Sequence, residues 1–149
     1  MDGAQLSALI TERQSILAQL LELGTRQVDV IAAGRMSELM RILAEKQDPL
    51  QRLGEISERL RETAGEDPRG RKWNSQRDRD ACRQAQDDCE RMHIELLAIE
   101  AQCETALNES RNAIQQELQQ IDSAHQAASH YAHAEASQTA GIRLDLSSD

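Results

Sequence analysis

From Asn74 to His133 the chain contains neither glycine nor proline, and small or apolar residues return there every three or four positions: Cys82, Ala85, Cys89, Met92, Leu96, Ile99 and Cys103. Such spacing lays one face of an α-helix against a neighbour, so the segment reads as one very long helix. The pattern resumes as Leu107, Ile114, Ile121 and Ala128, displaced by a four-residue insertion of the kind that locally unwinds a coiled coil. With no Phe, one Trp and one Tyr in 149 residues, the chain also lacks the aromatic content that sheets favour.

Two shorter helical segments precede it. The first runs from about Gly3 to Ala33, with Leu6, Leu9, Ile10, Ile16, Leu17, Leu20, Leu21, Leu23, Val28 and Ile31 as a stripe wide enough for two neighbours. Ala32-Ala33-Gly34 ends it, because glycine enters the left-handed conformation of a helix terminus without steric cost. In the second segment Met36, Leu43 and Leu50 form one heptad register and Leu39, Leu53 and Leu60 another, with Lys46 interrupting; both are expected on one seam. Pro49 lies inside this pattern and predicts a kink near Glu45 to Asp48 rather than a stop. Between Thr63 and Asn74, Gly65, Pro68 and Gly70 mark a connection, and the third helix can start at Pro68 capped by Asp67 or at Gln76 capped by Ser75.

These lengths give an all-α fold: an antiparallel three-helix hairpin or bundle, coiled-coil-like, with a long third helix. At ~1.5 Å per residue the third helix would reach roughly 90 Å against about 45 Å for each of the others. Its stripe from about Leu107 onward, Leu107, Ile114, Leu118 and Ile121, would then have no cover from the first two helices, and a bare apolar stripe is an interaction site by default. Residues 1–134 form the helical domain. Residues 135–149, rich in Ser and Ala with an Ile142, Leu144, Leu146 alternation, form a flexible tail that adds Ile142 and Leu144 to the candidate surface.

A net charge of −9 opposes the phosphates of nucleic acid and the anionic face of a membrane, which leaves proteins as partners. Apolar runs such as Ile16 to Leu23 are broken by Gln19 and Glu22 and fall short of the ~20 residues a bilayer span needs. Met1 to Ile10 shows no charged-then-apolar leader, so a cytoplasmic location is expected. Cys82, Cys89 and Cys103 lie on one predicted helix, beyond disulfide geometry with each other, and read as small apolar residues in a reducing compartment.

Little supports catalysis or a cofactor. Glu90-x-x-His93 and Asp122-x-x-His125 have the i, i+3 spacing of helical di-metal sites, but both fall on one helix, roughly 48 Å apart, so no metal is expected short of antiparallel dimerisation. His125, His130 and His133 lack the four-residue step of a helical zinc pair and suit a helix C-terminus. Arg69, Arg71, Lys72, Arg77, Arg79 and Arg83, set against Glu66, Asp67, Asp78 and Asp80, make a basic patch that reads as a solvated helix start or as a grip for an acidic partner. Trp73 reads as a cap packing on the first two helices, or as an anchor for a partner.

Three stretches carry a family resemblance: Leu17-x-x-Leu20-Leu21-x-Leu23; Val30-Ile31-Ala32-Ala33-Gly34-Arg35; and Leu39-x-x-Ile42-Leu43-x-x-Lys46-Gln47-x-x-Leu50-x-x-Leu53. Over about Leu6 to His133 the chain resembles the FlgN family of flagellar export chaperones. Such proteins commonly carry an acidic residue after the small turn, where this chain has Arg35 and Met36, with Glu38 the nearest acid. The resemblance implies a protein that binds hook-filament junction proteins (hook-associated proteins) through its C-terminal helical region, prevents their premature assembly and delivers them to the flagellar export gate of the type III apparatus. The alternative is a structural coiled coil, a homodimer formed through the distal third helix.

Overall fold

The computed structural model describes the backbone of residues 1–146 and the side chains of residues 1–136. Helix α1 spans Gly3–Ala32, α2 Met36–Glu62 and α3 Gln76–Leu146, with a single 3-10 turn at Pro68–Gly70. No strand occurs among the described residues. The chain groups into two units, Met1–Asn108 and Glu109–Asp149.

Each helix end in the first unit has a local cause. Asp2 accepts the Gln5 amide at 2.8 Å while the Gln5 side chain accepts the Asp2 amide at 3.1 Å, a reciprocal cap that satisfies two otherwise unpaired donors. At the other end of α1, Gly34 adopts φ +71°, and the amides of Gly34 and Arg35 return to the carbonyls of Ile31 and Val30. This is the Schellman arrangement, and it needs the left-handed residue that the Ala-Ala-Gly sequence supplies. Asp67 accepts the Arg69 amide at 3.0 Å and so closes the 3-10 turn, while the Ser75 hydroxyl accepts the Asp78 amide at 3.0 Å and starts α3 at Gln76. Of the two starts open in the sequence, the second is used. At its far end α3 continues past His133 to Leu146. The expected tail, with Ile142 and Leu144, lies for the most part outside the described side chains.

Helix α2 runs unbroken through the buried Pro49. The seam expected for α2 needs correction. Leu39, Lys46, Leu53 and Leu60 do face inward, joined by Ile42, Pro49 and Ile56, but Met36, Leu43 and Leu50 are exposed. At 3.6 residues per turn the two registers sit on adjoining faces, and only one of them meets the other helices.

The three helices of this unit run up, down and up. The Cys89 thiol lies on the Ile10 carbonyl and the Cys103 thiol on the Gly24 carbonyl, both pairs 79 residues apart, so α3 follows α1 in parallel and in constant register. Close approach is possible because α1 has Gly24 there: a Cβ at that position would stand 2.7 Å from Ile99 Cγ2. Two apolar clusters fill the interior. Leu9, Ile10, Ile16, Leu17, Leu20 and Ile56 pack with Cys82, Cys89 and Leu96 in one, and Leu23, Val30, Ile31, Leu39 and Ile42 pack with Cys103 in the other. On the surface Arg52 clamps Glu12 and Glu55, and its hydrogen bond holds the Glu12 carboxyl below the usual carboxylate range.

Candidate functional site

The two units differ most in what they do with the apolar stripe of α3. In the first unit Cys82, Cys89, Leu96 and Cys103 are buried, with Ala85, Met92 and Ile99 half-buried beside them. Burial pushes all three thiols up, so they stay protonated and unreactive at neutral pH, as expected of cysteines used for packing. In the second unit every residue from 111 to 136 is exposed. There Ile114, Leu118 and Ile121 stand 53%, 56% and 48% exposed. Steps of four and three residues bring the three onto one helix face about 60° wide, with no described side chain covering it. Leu107 is 39% exposed and belongs to the first unit, where it lines a cleft of about 490 Å³ with Leu97, Cys103 and Glu104.

A polar cluster in the first unit was not anticipated. The Lys46 ammonium, read above as an interruption, is buried on α2 and donates to Gln27 Oε1 of α1 at 2.9 Å and to Glu100 of α3. One cation therefore ties all three helices, and its charge is answered by a carboxylate on the third. The signal was present as two polar defects in apolar stripes, Gln27 between Leu23 and Ile31 and Lys46 between Leu39 and Leu53. What one sequence does not show is that the two defects face each other.

Trp73 is half-buried against the N-terminal turn of α1. A Cβ on Gly3 would lie 2.4 Å from its ring, and the Lys72 carbonyl accepts the Gly3 amide at 2.8 Å. The ring packs against the first apolar cluster. Among the described residues no group of three His, Cys, Asp or Glu side chains is placed to hold a metal ion, and neither the Glu90/His93 nor the Asp122/His125 pair gains further ligands.

The apolar stripe of α3 is thus buried from Cys82 to Cys103 and exposed at Ile114, Leu118 and Ile121. The family model described as FlgN protein matches residues 1–139, and the chain belongs to the FlgN family. That membership carries the role of a flagellar export chaperone, a protein that binds flagellar substrates. No curated protein and no solved structure matches the chain. No helix among the described residues is long and apolar enough to cross a membrane.

Proposed function

We propose that the bare stripe of α3 is where this chaperone holds its cargo, and that the cargo is a hook-filament junction protein. Ile114, Leu118 and Ile121, with Leu107 on the first-unit side and Ile142 and Leu144 further along, cover an apolar terminal helix of that protein in the manner of a helix packed on a helix. Covered in this way, the junction protein cannot pair with its own kind in the cytoplasm and reaches the export gate unassembled. Binding is the whole of the chemistry; no catalytic step is assigned. The observation that supports this reading is the exposure of three large aliphatic side chains on one face of a helix, since bare patches of that kind on a chain of this charge are costly unless used.

The test is the double substitution Ile114→Asp with Ile121→Asp, read by co-purification with junction proteins, circular dichroism and light scattering. Two carboxylates buried against an apolar helix should weaken cargo binding by about a hundredfold or more, with helicity unchanged. Intact cargo binding would sink the placement of the site. Dissociation of a homo-oligomer with a fall in helicity would favour the structural coiled coil instead.

A further inference from the structure

The first unit contains a cationic cleft that the cargo-binding reading leaves unused. It lies where the 63–73 connection crosses the lower turns of α1 and α3, and it consists of two adjoining hollows of about 430 and 160 Å³ that share Leu6, Pro68, Arg71 and Gln86. Arg13 lines the larger hollow, Arg79 and Arg83 the smaller, and Arg71 both. The single carboxylate in the walls is that of Glu66, which already accepts from Arg71 and from the N-terminal ammonium. Those two cations hold the Glu66 carboxyl below the usual range, so it stays ionised and committed to them.

The other three guanidinium groups have no such partner. Among the described residues neither Arg13, Arg79 nor Arg83 makes a side-chain hydrogen bond or ion pair, and the Arg13 Nε is buried with nothing to accept its proton. Arg13 and Arg79 are half-buried and Arg83 is exposed, so these groups are free to take a carboxylate in the fork geometry arginine favours, and burial of the Arg13 Nε adds the cost of one unmet donor. The imbalance is local: the chain as a whole carries −9, yet the cleft gathers four arginines around one engaged acid.

The rest of the wall narrows the ligand. Leu6, Leu60 and Pro68 supply an apolar surface beside the arginines, which a hydrated inorganic anion would leave unfilled. The cleft contains no glycine-rich turn of backbone amides of the kind that cradles a nucleotide's phosphates. We infer that this cleft is a second docking site, for an acidic peptide segment of a partner protein in which carboxylates alternate with apolar side chains: the carboxylates meet Arg13, Arg79 and Arg83, and the apolar side chains rest on Leu6, Leu60 and Pro68. Its residues lie in the first unit and none of them belongs to the Ile114 to Ile121 stripe.

Trp73 lines the smaller hollow and is the chain's single tryptophan, which makes its fluorescence a direct report on the cleft. The full chain is titrated with a blocked peptide of alternating glutamate and leucine, with its glutamine counterpart, and with inorganic phosphate. The glutamate peptide should give a saturable change below ~1 mM, and the glutamine peptide should bind about tenfold or more weakly, as should Arg13→Gln or Arg83→Gln protein with the glutamate peptide. Arg83 is exposed, so its substitution reads binding even if the Arg13 variant fails to fold. The Ile114→Asp, Ile121→Asp protein should bind the peptide as the parent does, which separates failure here from failure of the cargo reading. The inference is overturned if no saturable change occurs, if the glutamine peptide binds equally, or if phosphate competes as well as the glutamate peptide.

Discussion

Cys89 and Ile114 occupy the same helix and the same kind of position in its apolar pattern, yet the first is enclosed by α1 and the second stands in solvent. The contrast shows that periodicity reports which way a side chain faces and says nothing about what stands opposite. For Cys82 to Cys103 the neighbour is α1, held at a constant offset by Gly24 and by the two thiol contacts. For Ile114 to Ile121 no described residue fills that place.

The comparison is broken most forcefully by removing a side chain from each region. Leu17 is fully buried, and Leu17→Ala should cost about 3 kcal/mol in chemical denaturation, from lost transfer energy and the cavity left behind. Ile114→Ala should change stability by less than about 0.5 kcal/mol, since an exposed residue leaves no cavity. Comparable losses at both sites would mean that the distal stripe is covered in the free protein.

Next in size is the three-helix polar tie. Glu100→Gln leaves the Lys46 ammonium buried with weaker acceptors and should cost about 1–2 kcal/mol, whereas the paired change Lys46→Met with Gln27→Leu should be near neutral because it removes the buried charge together with the buried acceptor that answers it. Thermal unfolding of the two variants side by side checks the order. A smaller effect follows for the cysteines: Cys89→Ala should lose about 1 kcal/mol and keep full cargo binding, and loss of binding in a folded variant would overturn their assignment as packing residues. Smallest is Gly54: nothing lies within 4 Å of a Cβ placed there, so Gly54→Ala should stabilise α2 by up to about 1 kcal/mol.

Much of the fold was legible because its boundaries are made by residues with few alternatives. Gly34 could only be a turn, Pro68 and Gly70 could only interrupt, and the run from Asn74 to His133 offered nothing to stop a helix. The inward face of α2 was harder to read. Apolarity alone put the Met36, Leu43, Leu50 register and the Leu39, Leu53, Leu60 register on one seam, and the first of them proves to be exposed, while Ile42 and Ile56 passed without weight as core. The decisive terms were polar and non-local: Lys46 can be buried because Gln27 and Glu100 come to it from two other helices. The candidate stripe was visible in the sequence as Leu107, Ile114, Leu118 and Ile121, and all four side chains are exposed. The basic run from Arg69 to Arg83 left two readings open, since nothing local shows that Arg71 is engaged by Glu66 while Arg79 and Arg83 stay unpaired and share a cleft with Arg71.

The central claim is that cargo covers the distal half of α3 and leaves the bundle of the first unit unchanged, and amide hydrogen exchange with and without a hook-filament junction protein tests it most directly. At a cargo concentration about a hundred times its Kd, exchange across residues 111–125 should slow by about a hundredfold, while amides of Ile10 to Ile31 and of Ile42 to Ile56 keep their rates. Protection confined to the first unit, with residues 111–125 exchanging as in the free protein, would contradict the account.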